Sequence, residues 1–306
     1  MAAVSQARSL RLPTELGDDV VASEQKLADL FAAAGQLQSA PVRQLGGPPI
    51  QRGIAAGPGQ LNRHARHGLG AARHGHPAAV RTLRYAPGRR ADVFGEPASP
   101  TVLLWHGAQT DARAAVGPLA GLLTAHGLMV VAPDWNSHAA DGGRAELLRS
   151  LDFTRGLAGD SGAVALVGWS LGGAAAAGIT LQADRFGVAP LHTFCLAGAF
   201  MVPDSLTGRA ATDTVPPERG GTAFTLLHGV ADDVVPVSAS RDFAAHLQRI
   251  GWPVQVVEVA ADHGSIAGAD YDPVADRYHP GAREETLRVA GEVATRIGAT
   301  LRYLGG

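Results

Sequence analysis

The chain has 306 residues, 46% of them hydrophobic and 18% charged, and its formal net charge is −2. This composition is typical of a folded globular protein, excludes a strong overall attraction to nucleic acid or an anionic membrane, and leaves the oligomeric state open. Its single cysteine, Cys195, excludes an intramolecular disulfide. No apolar run approaches the ~20 residues of a membrane span, and acidic residues stand where a secretory signal would have its apolar core, so we expect a cytoplasmic protein.

Residues 1–79 are predicted to form an irregular N-terminal extension. Within it, 20–38 carries Leu27 and Phe31 in a helical spacing, which predicts one amphipathic helix. The following stretch, 46–79, is rich in Gly, Pro, Arg and His and has almost no large apolar residues, so we expect loop or disorder. Its histidines lack companion carboxylates, and stacking aromatics are absent, so neither a metal site nor a nucleic-acid surface is expected there.

From residue 80 onward, strand-like and helix-like segments alternate. Strands are predicted at 80–86, 91–95, 101–105, 128–135, 163–168, 191–201, 222–229 and, as the last, 252–260. Helices are predicted at 112–126, 144–159, 171–186, 238–250 and 284–304. This alternation predicts an α/β domain over 80–306, with a mostly parallel central sheet flanked by helices.

The segment Gly168-Trp169-Ser170-Leu171-Gly172 joins a predicted strand to the Ala-rich helix that follows it. A G-x-S-x-G pattern between a strand and a helix is typical of a nucleophilic serine held on a sharp turn. Side chains at Gly168 and Gly172 would collide with the neighbouring strand and helix. The helix N-terminus would favour negative charge that develops at Ser170.

With this motif, residues 80–304 resemble the α/β-hydrolase family and, within it, serine esterases. The resemblance implies the α/β-hydrolase fold and a Ser–acid–His triad in that chain order. The segment after the strand 222–229 resembles the family turn H-G-x-x-D-x-x-V-P, which places the acid at Asp232 and leaves adjacent Asp233 as an alternative. The family histidine, on a loop after the last strand, matches His263.

The resemblance also assigns roles. Ser170 would be the nucleophile, His263 the general base, and Asp232 the group that orients the imidazole. Two backbone N–H groups would bind the oxyanion, those of Leu171 and of Ala108. The loop His106-Gly107-Ala108 is the short H-G-x form, which departs from the H-G-G-G of hormone-sensitive-lipase-like esterases.

Five other residues are of interest for the site or its surroundings. His106 and His228 end strands and precede glycines, so we expect turn or supporting roles. Trp135 and His138 follow a predicted strand and either line the pocket or lie on a surface turn. Cys195 is expected to fill the core.

These observations favour a serine hydrolase that cleaves small or medium carboxylic esters through an acyl-enzyme. Its partner would be a small-molecule ester, without metal or cofactor. Thioesterase, lactonase, peptidase, acyltransferase and perhydrolase activities use the same triad, and a ligand-binding protein that has lost turnover is also open. The short, Pro-containing stretch 202–221 predicts a loop rather than a bulky lid, and the helix at 20–38 is an alternative cap.

Overall fold

A computed structural model provides the structure of the chain. It describes residues 80–97, 100–159, 162–214 and 221–305. The predicted extension 1–79, with its helix at 20–38, lies outside the described residues, so the domain boundary at residue 80 stays a prediction.

Ten strands and six helices lie in the described residues. The strands are β1 Val80–Ala86, β2 Arg89–Phe94, β3 Thr101–Trp105, β4 Met129–Pro133, β5 Val164–Trp169, β6 Thr193–Leu196, β7 Phe224–Gly229, β8 Val254–Val259, β9 Ala269–Asp272 and β10 Arg277–Pro280. The helices are α1 Gly117–Thr124, α2 Arg144–Leu157, α3 Leu171–Leu181, α4 Ala183–Phe186, α5 Ser238–Arg249 and α6 Glu284–Gly305. Short 3-10 turns lie at Ala211–Asp213 and Ser265–Ala267.

The first eight strands form one sheet in the order β1-β2-β4-β3-β5-β6-β7-β8. The β1–β2 and β2–β4 pairs are antiparallel, and the other five pairs are parallel, as predicted. In the parallel part, Leu103 of β3 pairs with Val131 of β4 on one side and with Leu166 of β5 on the other. The strand connections therefore run in opposite directions along the sheet on the two sides of the β3–β5 pair. A crevice forms at the carboxyl ends of these two strands.

The central strands are buried on both faces. Every residue of β3 through β7 is buried, which is why these strands appear in the sequence as continuous apolar runs. Alternate side chains enter different clusters: Leu104 packs with residues of α1 and α6, whereas Leu103 packs with residues of α2 and α3. Helix α5 packs through Phe243 on the side of the sheet formed by β7 and β8. In the described part of the chain, no helix combines the length and apolar character that crossing a membrane requires.

The structure corrects three predicted boundaries. The helix predicted at 112–126 begins only at Gly117, with Pro118 in its first turn, because the residues before it form turns. The strand predicted at 191–201 ends at Leu196, since Ala197 has a φ of 47°. The strand predicted at 252–260 is the last of the main sheet but not of the chain, because the antiparallel hairpin β9–β10 follows it.

The stretch after β6 is a packed loop in its described part. Pro203 and Ala210 form an isolated bridge, and the side chains of Val202 and Leu206 are buried against the core. A loop without a bulky lid agrees with the prediction for these residues.

Candidate active site

Ser170 lies on the turn between β5 and α3 in a backbone conformation rare for a residue with a side chain. Its φ is 55° and its ψ is −119°. Its N–H donates to the carbonyl of Leu196 at 2.9 Å, and its own carbonyl accepts from the N–H groups of Gly173 and Ala199 at 3.0 and 3.1 Å. Such a conformation costs of order 1–3 kcal/mol and persists only where the surroundings fix it. The backbone bonds to both neighbouring segments provide that constraint.

The glycines on either side of the serine make this turn sterically possible. A Cβ on Gly168 would lie 2.2 Å from the carbonyl oxygen of Gly172. A Cβ on Gly172 would lie 2.4 Å from the carbonyl oxygen of His106, at the end of β3. The predicted collision with the neighbouring strand and helix is therefore confirmed.

Asp232 and His263 are brought together from the loops after β7 and β8. His263 Nδ1 lies 2.8 Å from Asp232 Oδ2, and both side chains are almost fully buried. The other carboxylate oxygen accepts from the N–H groups of Val234 and Val235 at 2.9 and 2.8 Å. Asp233, the alternative acid, is exposed. The carboxylate that contacts the predicted histidine is therefore that of Asp232.

These contacts keep Asp232 ionised. Burial alone would raise the pKa of its carboxyl group, but His263, His228 and the N–H of Val235 more than offset that effect. The pKa therefore lies well below its ordinary value. A buried anion at this position favours a proton on the Nδ1 of His263.

A second histidine, His228, lies near the same carboxylate oxygen of Asp232. Its Nε2 lies 3.4 Å from Asp232 Oδ2 and donates to the carbonyl of Val235 at 2.9 Å. With Nε2 as the donor, a neutral ring accepts at Nδ1 from the hydroxyl of Ser240 at 2.7 Å. His228 therefore has the supporting position expected from the sequence.

The loop after β3 passes directly over the serine. A Cβ on Gly107 would lie 3.2 Å from Ser170 Cβ, so the backbone approaches the serine closely. Ala108, the next residue, lines the same cavity as Ser170. Its carbonyl accepts a 2.6 Å hydrogen bond from the hydroxyl of Ser137, which fixes the orientation of this part of the loop.

His106 fixes the start of that loop. Its Nδ1 donates to the carbonyl of Gly107 at 2.9 Å, and its Nε2 accepts from the N–H groups of Ala112 and Trp135 at 3.2 Å each. Burial lowers the pKa of His106 to about 3, so the ring is neutral and can accept these bonds. The indole of Trp135 is fully buried and donates to the His106 carbonyl at 3.2 Å. The expectation that Trp135 is a pocket or surface residue was wrong, since it packs beneath the loop.

A cavity of about 300 Å³ opens above Ser170. Ser170 and His263 both line it, so the structure brings the predicted nucleophile and base to one space. Leu171, whose N–H is the other predicted oxyanion donor, begins α3 directly beneath this space and is buried. His138, which the sequence places either in the pocket or on a surface turn, also lines the cavity.

No family model matches the chain, and no curated protein matches it. Solved structures do match it. An esterase of the planctomycete Thermogutta terrifontis has a TM-score of 0.52 at 17% identity, over 72% of this chain and 93% of the other. A carbohydrate esterase from gut microbiota has a TM-score of 0.54 at 13% identity, over 74% and 96%. The chain has the α/β-hydrolase fold.

A further match, an arylesterase, has a TM-score of 0.53 at 13% identity, over 74% of this chain and 84% of the other. At these identities the likeness concerns the fold alone. The Thermogutta esterase has also been solved with propionate bound, with butyrate bound, and phosphorylated by paraoxon.

Part of the cavity wall in this α/β-hydrolase fold was not predicted from the sequence. Trp169, the variable residue of the motif, donates from its indole N–H to the carbonyl of His263 at 2.8 Å. Tyr271 and Tyr278 line the cavity from the unpredicted hairpin β9–β10. The available signal was the alternation of these tyrosines with charged residues on either side of Pro273.

Cys195 lies in β6 and is fully buried. Its Sγ lies 3.4 Å from the carbonyl oxygen of Gly173, and burial raises the pKa of the thiol. The predicted core role agrees with this position. In the part of the chain that the structure describes, no three His, Cys, Asp or Glu side chains group as metal ligands.

Proposed function

We propose that this chain is a serine hydrolase that cleaves carboxylic esters of small to medium size through an acyl-enzyme intermediate. One arrangement carries the proposal. Ser170, at a φ of 55° on a strand-to-helix turn, shares a cavity with His263, whose Nδ1 is 2.8 Å from the buried carboxylate of Asp232. A serine needs such a base, and the base needs such an orienting acid.

In the first half of the reaction, Ser170 Oγ attacks the ester carbonyl carbon while His263 Nε2 takes the hydroxyl proton. Asp232 accepts the Nδ1 hydrogen bond and stabilises the imidazolium that forms. Because the pKa of Asp232 is held below its ordinary value, the proton stays on the imidazole. The imidazolium then donates the Nε2 proton to the alcohol oxygen, the C–O bond breaks, and the alcohol leaves.

The negative oxygen of the tetrahedral intermediate requires preorganised donors. Leu171 is the first residue of α3, so its backbone N–H has no acceptor within that helix. The dipole of the helix favours an anion at this end. The N–H of Ala108 is the second proposed donor, since Gly107 brings this loop against Ser170. In the second half, water attacks the acyl carbon while His263 Nε2 takes its proton. The bond between the acyl carbon and Ser170 Oγ then breaks, His263 returns the proton to Oγ, and the acid leaves.

The cavity favours small esters. Its volume of about 300 Å³ is at the low end for sites that bind small molecules. Apolar and aromatic groups, including Trp169, Val234 and Tyr278, form much of its wall. The propionate and butyrate bound by the Thermogutta esterase point to short acyl groups as the first to test on this chain.

Release of p-nitrophenol from acetyl, butyryl, octanoyl and decanoyl esters tests the proposal. We expect many turnovers per protein on the short esters, a decline with chain length, and no turnover in Ser170→Ala. Stoichiometric release without further turnover would indicate a binding protein instead. Turnover on thioesters or lactones but on no open-chain ester would keep the serine mechanism and overturn the substrate class.

A further inference from the structure

A second cavity lies beside the candidate active site. Its volume is about 320 Å³, close to that of the first. His263, Tyr271 and Tyr278 line both cavities. The two tyrosines therefore stand as a wall, the tyrosine wall, between the space above Ser170 and a second space behind it.

The wall is a pair of facing residues on one hairpin. Tyr271 of β9 pairs in register with Tyr278 of β10, and their ring centroids are 5.1 Å apart. The Tyr278 ring meets the Trp169 ring edge-on at 4.9 Å and lies 5.9 Å from the His263 ring. Aromatic contacts of this kind hold a ring in one place, so the wall has a defined position.

One side chain ties the hairpin to the loop that carries Ala108. Gln109 Nε2 donates to the carbonyl of Tyr278 at 3.0 Å, and Gln109 Oε1 accepts from the N–H of Tyr278 at 2.7 Å. The amide thus acts as a strand partner for β10. At the other end, Asp270 accepts hydrogen bonds from the N–H of Ala282 at 2.8 Å and from the hydroxyl of Thr286 at 2.6 Å.

We propose that the tyrosine wall limits the size of the alcohol part of the substrate and that Gln109 is the positioning residue that holds the wall. The proposal rests on the proposed ester hydrolysis. During that reaction the alcohol oxygen receives its proton from His263, so the alcohol must extend on the His263 side of Ser170. The Tyr278 ring, 5.9 Å from the His263 ring, stands on that side.

The test compares kcat/KM for the hydrolysis of ethyl, butyl and octyl acetate, measured by the release of acetic acid. Tyr278→Ala would join the two cavities, and we expect the octyl-to-ethyl ratio to rise about tenfold or more, because the longer alcohol would no longer meet the Tyr278 ring. Tyr278→Phe keeps the ring and should leave the ratio unchanged. Val274→Ala is the matched control, because Val274 is 96% exposed at the hairpin tip.

A second variant leaves the tyrosine rings intact. Gln109→Met has a similar length but makes neither hydrogen bond with Tyr278, so it should shift the same ratio in the same direction. Preference among ethyl acetate, butyrate and octanoate, which vary only the acyl part, should stay constant in both variants. A role in folding alone would not produce this selective change.

The two proposals fail in different ways. If the wild-type protein hydrolyses no ester, the proposed function fails. If it hydrolyses esters but Tyr278→Ala and Gln109→Met, both with native circular dichroism, keep the wild-type octyl-to-ethyl ratio, the inference is overturned. An equal shift in Tyr278→Phe would also overturn it, since the hydroxyl rather than the ring would then set the preference.

Discussion

Replacing Asp232 with asparagine exchanges one buried carboxylate oxygen for an NH2 group and leaves the shape of the side chain unchanged. The N–H groups of Val234 and Val235 donate to Oδ1, so they fix the amide with its oxygen toward the backbone. The NH2 group must then face His263 Nδ1, 2.8 Å away. Two N–H donors cannot share that contact, so the neutral ring must carry its proton on Nε2 instead.

The loss of catalytic rate follows from that tautomer. A histidine with its proton on Nε2 cannot take the proton of Ser170, and the imidazolium loses its counter-charge. In serine triads this change lowers kcat by roughly 10⁴. At about 1.36 kcal/mol per factor of ten, the activation free energy rises by about 5.5 kcal/mol.

The assay is kcat on p-nitrophenyl butyrate for Asp232→Asn beside Asp233→Asn. The control removes the same charge one residue away, at an exposed position, and should keep most of the activity. Circular dichroism of both variants checks that the fold persists. A large loss in Asp233→Asn with little loss in Asp232→Asn would refute the reasoning and move the acid to Asp233.

Three further predictions concern the turn, the buried histidines and the extension. Gly172→Ala places a Cβ 2.4 Å from the His106 carbonyl oxygen, so we expect destabilisation of about 1–3 kcal/mol and loss of turnover. The control is Gly156→Ala, whose Cβ would lie more than 4 Å from every group outside its own helical turn; equal urea unfolding midpoints for the two variants would contradict the steric argument. Burial lowers the pKa of His106 to about 3 and that of His192 to about 4. Keeping these two histidines neutral therefore contributes its full stability above about pH 6.5. The contribution declines as the pH falls toward their folded-state pKa values, because the unfolded chain then binds more protons than the folded one. A urea unfolding midpoint that does not change between about pH 7 and about pH 5 would contradict this pH dependence. Deleting 1–79 should preserve folding and acetyl-ester turnover, since every strand of the main sheet in the described residues lies at or after Val80. Loss of turnover in soluble protein would show that the extension helps to build the site, and a change on octanoyl esters alone would make it a cap.

The features that the sequence predicted correctly are encoded locally. The buried strands appear as apolar runs, and the turn at Ser170 as glycines placed where a Cβ would collide. The strand order did not follow from such patterns, because pairing between β3 and β5 joins segments about sixty residues apart. The proximity of Asp232 to His263 was expected only through the family resemblance.

The missed features depend on contacts between distant residues. The hairpin β9–β10 consists of two four-residue strands with charged residues, and one of them is held by Gln109, 169 residues from Tyr278 in the chain. Trp135 is buried, and it bonds to His106, which lies 29 residues earlier in the chain at the end of the adjacent strand β3. The only local sign of the hairpin is the alternation of its tyrosines with charged residues, and Trp135 has no such local sign.

Peptide mass spectrometry of the protein after reaction with paraoxon would locate the nucleophile. Attack by Ser170 Oγ would displace p-nitrophenolate, give its proton to His263, and leave a diethylphosphoryl group on the serine. We expect one adduct, on the peptide containing Ser170, and none in Ser170→Ala. An adduct on another residue, or equal labelling of the Ser170→Ala variant, would contradict it.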